Sequence, residues 1–164
     1  MKIKVKLLET GALPEIIKKG DWIDLRSRFD YNGQAPKTVP DGCIVFDTQI
    51  IKLGVAMKLP KGFEAIIVSR SGTFKHYGCI QTNAFGVIDN TYSGNDDEWG
   101  YPATFLKAGH ISAGDRVCQF RIQLSQKATM WQKLKWLFSK KIEIVAVNEL
   151  DRVNRGGFGK SGKK

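Results

Sequence analysis

Apolar and polar residues alternate from the start of the chain: Met1-Lys2-Ile3-Lys4-Val5-Lys6-Leu7 puts three lysines on one face and Ile3, Val5 and Leu7 on the other. That period of two predicts a half-buried strand, and the interrupted apolar run is not a signal peptide. Further β-like runs follow at Cys43–Phe46, Ile50–Leu59, Phe63–Val68, Ala103–Leu106, Arg116–Leu124 and Ile142–Val147. Pro40-Asp41-Gly42, Pro60-Lys61-Gly62 and Ala113-Gly114-Asp115 supply turn chemistry between them. Many short strands punctuated by Gly and Pro predict an all-β sandwich, jelly roll or distorted barrel. One segment breaks the period. Over 128–140, Trp131, Leu134, Leu137 and Phe138 recur at helical spacing among Lys133, Lys135, Lys140 and Lys141. This predicts one short inserted helix, packed on the β body or on a neighbouring subunit in preference to a membrane surface.

A length of 164 residues suits one domain with its own core. No apolar run reaches transmembrane length, so no membrane partner is expected. Cys43, Cys79 and Cys118 are far apart without CxxC spacing, which disfavours a disulfide framework and points to a reducing cytoplasm. His76 and His110 have no His or Cys neighbours at ligand spacing, so a zinc enzyme is disfavoured. The net charge of +10 calls for an anionic partner: nucleic acid, an anionic membrane or a small polyphosphate. Much of the excess lies in 133–141 and 152–164.

Five segments carry candidate chemistry. In Gly86-Val87-Ile88-Asp89-Asn90-Thr91-Tyr92-Ser93-Gly94, two β-formers lead a carboxylate into a turn and an aromatic follows. The segment reads as a short hairpin offering a base, a stacking ring and backbone amides. Asp24 sits among apolar neighbours in Gly20-Asp21-Trp22-Ile23-Asp24-Leu25, suited to structural hydrogen bonding or to the water shell of Mg²⁺ near a polyphosphate. Ser69-Arg70-Ser71-Gly72 combines a guanidinium fork, hydroxyls and a glycine, a set that suits phosphate oxygens. Gln119 lies in the long run 116–124 and has an uncharged amide donor. Finally, Arg155-Gly156-Gly157-Phe158-Gly159-Lys160-Ser161-Gly162 has a ring, two cations and four glycines, whose ordering costs the most backbone entropy. Such a segment can close over a ligand, and its position at the end of the chain suits a lid better than a Walker A loop.

In this order, the five segments closely resemble the five motifs of the homotrimeric dUTPase (deoxyuridine triphosphate nucleotidohydrolase) family, most nearly its phage and Gram-positive branch. The resemblance implies a distorted jelly-roll barrel, to which the helical spacing over 128–140 adds one short inserted helix. It divides the chain into a catalytic domain over 1–150, with the insert at about 128–140, and a Gly-rich lid arm over 151–164. It also implies a homotrimer whose active sites are shared between subunits. Asp89 would be the general base that activates water against the α-phosphorus of dUTP. Tyr92 would lie under the deoxyribose, while Asn83, Gly86 and the neighbouring backbone would read uracil. Arg70, Ser71 and Gly72 would hold phosphates from a neighbouring subunit, and Gln119 would contact the α-phosphate. Asp24 would act through a water on Mg²⁺ carried by the triphosphate. Phe158 would cover the base, with Arg155, Gly159, Lys160 and Ser161 around the γ-phosphate.

Several residues depart from the family pattern: Thr91 replaces a second Asp, Ser93 a larger polar residue and Ser69 a Pro. Arg155 directly abuts Gly156, so Arg152 competes as the lid arginine. The acidic Asn95-Asp96-Asp97-Glu98 and the helix over 128–140 are additions. Three other readings are a dCTP deaminase or bifunctional relative of the same fold, a regulatory protein of that fold that binds a partner through 128–140, and a nucleic-acid binder. No specific nucleic acid is expected.

Overall fold

The computed structural model describes residues 1–16, 20–139 and 141–157. In chain order its strands are β1 (Lys2–Leu7), β2 (Glu15–Ile16), β3 (Ile23–Arg26), β4 (Tyr31–Gly33), β5 (Lys37–Thr38), β6 (Ile44–Val45), β7 (Asp47–Lys52), β8 (Val55–Lys58) and β9 (Phe63–Ser69). Helix α1 (Thr73–Tyr77) follows, then β10 (Cys79–Gln81), β11 (Gly86–Asp89), β12 (Gly100–Phe105), β13 (Gly109–Ile111) and β14 (Arg116–Leu124). Helix α2 (Met130–Leu137) and β15 (Glu143–Val147) complete the described elements.

The molecule is an all-β jelly roll built from small sheets. Five strands in the order β11-β9-β14-β3-β2 form the largest sheet, and β15-β1-β8 and β10-β12-β7 form two others. In β1 the predicted alternation holds for Ile3 and Val5, which are buried, and for Lys2 and Lys4, which face solvent, whereas Leu7 at the end of the strand is exposed. The nine-residue β14 lies between β9 and β3, placing Gln119 opposite both Val68 and Asp24. A bulge between Arg116 and Cys118 lets the successive residues Val117 and Cys118 both be buried. Trp99 packs edge-on to Phe120 at 5.2 Å inside the core shared by these sheets.

Three local expectations change. The run from Ile50 to Leu59 is two strands, β7 and β8, broken where Gly54 takes φ +66°. Two helices occur among the described residues instead of one. Helix α1 is a five-residue turn, too short to display a helical period, closed by Gly78 in the left-handed region. The predicted hairpin after Gly86 is not a hairpin: β11 pairs with β9, and no strand returns before β12. Asp89 ends β11 by accepting the Thr91 amide at 2.8 Å, an Asx turn that leads the chain into a loop.

The expected inserted helix is present as α2, with a complete Thr129–Gln132 capping box. It rests on the body through Trp136, whose ring is 5.4 Å from that of Phe63. Met130, Trp131, Leu137 and Phe138 remain largely exposed. No helix among the described residues is long and apolar enough to cross a membrane. Of the three cysteines, Cys43 is exposed, while Cys79 and Cys118 are buried and free. Burial pushes the Cys79 thiol up to about 11 and raises that of Cys118 as well.

Candidate active site

A cavity of about 290 Å³ opens along β11, bounded by Asn83, Gly86, Asp89, Tyr92 and the root of the C-terminal arm at Arg155 to Gly157. Pairing of β11 with the edge of β9 fixes its floor, where Gly86 lies opposite Ile67. A side chain at Gly86 would begin to fill the cavity, because a Cβ there has only ordinary contacts, the nearest at 3.5 Å from Ile67. Gln81 donates through Nε2 to the Asn83 Oδ1 at 3.0 Å, which leaves the Asn83 amide nitrogen as a donor.

Asp89 is held from two sides. The Thr91 hydroxyl donates to its Oδ1 at 2.5 Å, and Arg155 approaches both carboxylate oxygens at 3.0 and 2.9 Å. Burial pushes the Asp89 carboxyl up, but the Thr91 hydrogen bonds and the Arg155 charge outweigh it, so its pKa lies below the usual value. The carboxylate is therefore ionised at neutral pH, as a base must be. Tyr92 closes one wall, its hydroxyl donating to the Glu98 carbonyl at 2.9 Å. Burial and then the charges of Asp97 and Glu98 raise its pKa, which keeps the phenol neutral.

The remaining predicted residues form a second cluster. Asp24 is 1% exposed and paired on one oxygen with Arg70 Nε at 2.9 Å and on the other with Arg116 at 3.3 Å. Gln119 is its cross-strand neighbour. Ser71 is exposed in the turn before α1, and Gly72 is the residue capping that helix. Arg70 is fixed from behind, its amide donating to the Thr73 hydroxyl, which in turn donates to the Val117 carbonyl. Asp24 does not fit a direct metal ligand, because both of its oxygens are engaged by arginines. Among the described residues no three His, Cys, Asp or Glu side chains gather in a metal-holding group.

Between Arg152 and Arg155, the second reaches Asp89, whereas Arg152 donates to the Asn90 carbonyl at 3.2 Å. Phe158, Gly159, Lys160 and Ser161 lie outside the described residues.

The loop after Gly94 has a larger part than its sequence suggests. Asn95 accepts the Leu150 amide at 2.7 Å, Asp96 pairs with Asn154, and Asp97 accepts the amides of Gly94, Arg155 and Gly156. Glu98 takes the Gly54 amide and lies within salt-bridge distance of Arg28 and Lys52. Glycine is required at position 94, because a Cβ there would lie 2.2 Å from Asn154 Oδ1. These residues tie the arm to the cavity. Their sequence signal was limited to a run of acids in a basic chain.

No protein-family model matches the chain. It is 39% identical over 165 aligned positions to the SPbeta prophage-derived deoxyuridine 5'-triphosphate nucleotidohydrolase YosS of Bacillus subtilis, covering 100% of both chains. It is 33% identical to the deoxyuridine 5'-triphosphate nucleotidohydrolase of Finegoldia magna, covering 99% of each. In fold it is similar to a mutant dUTPase of Staphylococcus aureus phage phi11, a structure described with a structural Mg(II) ion. That match has a TM-score of 0.63 at 20% identity and covers 78% of this chain and 94% of the other. The Streptococcus mutans dUTPase gives a TM-score of 0.63 at 18% identity, covering 77% and 98%. With its length, its jelly roll and its five ordered motifs all in agreement, the chain belongs to the deoxyuridine 5'-triphosphate nucleotidohydrolase family.

Proposed function

We propose that this protein hydrolyses dUTP to dUMP and pyrophosphate, limiting uracil in DNA and supplying dUMP for dTTP synthesis. The carrying observation is Asp89: an ionised carboxylate on the wall of a cavity of about 290 Å³, oriented by Thr91. Asp89 accepts a proton from water as the water oxygen bonds to the α-phosphorus. The bond from that phosphorus to its bridging oxygen breaks, and pyrophosphate leaves. Tyr92 supports the sugar, and Asn83 with the Gly86 backbone reads the base. Incoming phosphates compete for Arg155 and draw it off Asp89, which frees the base when substrate is present. The arm over 151–164 then closes as a lid, with Phe158 over uracil and Gly159, Lys160 and Ser161 around the terminal phosphate.

Arg70, Ser71, Gly72 and Gln119 act on phosphates of a neighbouring subunit's nucleotide, within a homotrimer. The register supports this division. Asp89 is opposite Glu64 near one end of β9, whereas Arg70 follows its other end. Six residue steps along a strand span about 20 Å, far beyond hydrogen-bond reach of one reacting centre. Mg²⁺ bound with the triphosphate would supply charge neutralisation at the phosphates, and Asp24 is the residue that would hold it, through a water, once an arginine moved aside. The free cysteines suit a cytoplasmic setting. The exposed apolar side chains of α2 favour a second reading beside catalysis, a protein partner docked at 128–140.

A panel of dUTP, dCTP, dTTP and UTP with Mg²⁺, scored for pyrophosphate and ammonia, tests the proposal. Pyrophosphate from dUTP alone is expected; ammonia from dCTP would assign the fold to deamination instead.

A further inference from the structure

Asp97 is a carboxylate with 1% exposure, and the groups that satisfy it are mostly distant in sequence. Its Oδ1 accepts Gly156 N at 2.7 Å and Arg155 N at 2.9 Å, and its Oδ2 accepts Arg155 N at 2.9 Å and Gly94 N at 2.8 Å. Hydrogen bonds to an ionised acceptor are the strong ones, and a buried charge held by amides fixes the backbone that carries them. The same short stretch of arm is aligned on either side. Asn154 is gripped by Asp96 and fits against Gly94, and a Cβ at Gly157 would touch the Tyr92 hydroxyl at 3.0 Å. With its backbone fixed at 154–157, Arg155 can place its guanidinium on Asp89 and Thr91.

We propose that Asp97 is a positioning residue for catalysis: it seats the root of the C-terminal arm on the cavity and holds Arg155 at the cavity rim, within reach both of Asp89 and of incoming phosphates. Asp97 is not among the residues lining the cavity and works through the amides of Arg155 and Gly156. This rests on the dUTP hydrolysis proposed above, in which the arm is the lid.

The test is a double-mutant cycle in the full-length chain with Asp97→Ala and Gly156→Pro. Proline removes the Gly156 N–H and cannot adopt the φ of +74° found there, so it breaks the same anchor from the arm side. Each single variant should lose about tenfold in kcat/KM for dUTP. The double variant should lose little more than either one, since both act on a shared set of bonds. Losses that multiply would reduce Asp97 to a prop for the Gly94 turn, and an unchanged rate in Asp97→Ala would overturn the proposal outright. Should Asp97→Ala fail to fold, the isosteric Asp97→Asn replaces it in the same cycle, because its amide cannot accept on both sides. Backbone amide exchange provides a readout without substrate. Arg155 and Gly156 should be protected in the unmodified protein and lose protection in the Asp97 variant; exchange already fast in the unmodified protein would overturn the anchor. If dUTP is not turned over but protection behaves as stated, the hydrolase reading fails and the anchor stands.

Discussion

Two carboxylate–arginine pairs of the same chemistry lie in different surroundings. Asp24 is 1% exposed between β3 and β14, with Arg70 and Arg116 on separate oxygens. Asp89 is 45% exposed at the cavity and shares its charge with Arg155, itself 50% exposed. A buried carboxylate left without its arginines keeps a desolvation cost that water cannot relieve, whereas a half-exposed pair can be exchanged for water or phosphate. Burial, and not the ion pair itself, separates a fixed joint from a replaceable contact. On the proposed mechanism the chain needs both: one keeps the Arg70 turn in place and the other yields to substrate.

Substitutions at the two acids should have the largest effects. Asp89→Asn should lower turnover of dUTP by about a thousandfold, the scale of a lost general base, with a change in unfolding free energy below about 1 kcal/mol. Pyrophosphate release and chemical denaturation measure the two quantities. Asp24→Ala should show the reverse emphasis, losing about 1–3 kcal/mol in the same denaturation experiment because Arg70 and Arg116 lose their shared buried acceptor. A stability loss at Asp89 as large as that at Asp24 would erase the distinction.

A smaller effect sharpens the mobile pair. Removing Arg155 takes away a contact that lowers the Asp89 pKa, while burial still pushes it up. In Arg155→Ala the acid limb of kcat/KM against pH should therefore move to higher pH, as read from a full pH–rate profile. The smallest effect concerns acid release of the arm. Burial raises the Asp97 carboxyl, but the amides of Arg155, Gly156, Gly94 and Ser93 outweigh it and bring it below its usual value, as happens at Asp89. Both groups contribute stabilisation that is present above the unfolded carboxyl pKa of about 4 and is lost as pH falls through the lower folded value. Amide protection at Arg155 and Gly156 should thus persist at mildly acidic pH and fade only below that range.

Where structure followed local pattern, it was legible in the sequence. The period of two in β1 and the long run of β14 gave those strands, and the helical spacing over 128–140 gave α2. Helix α1 and strand β10 were hidden because five and three residues are too few to show a period. Asn83, Gly86, Asp89, Tyr92 and Arg155 do share one cavity, but Asp24, Arg70 and Gln119 do not join them within the chain. Motif order cannot tell which residues meet in one copy, because that depends on register. Asp97 was missed for a related reason: its partners lie 58 and 59 positions away, and a backbone N–H has no sequence signature.

The three cysteines give the molecule a practical handle. Two thiols are buried and resist ionisation, whereas Cys43 is exposed just after the turn at Asp41-Gly42, where its amide bonds the Asp41 side chain. A maleimide dye added to the native protein should therefore attach at a single known position. Because that position lies outside the residues lining the cavity, binding of candidate nucleotides could be followed by fluorescence without altering any group there.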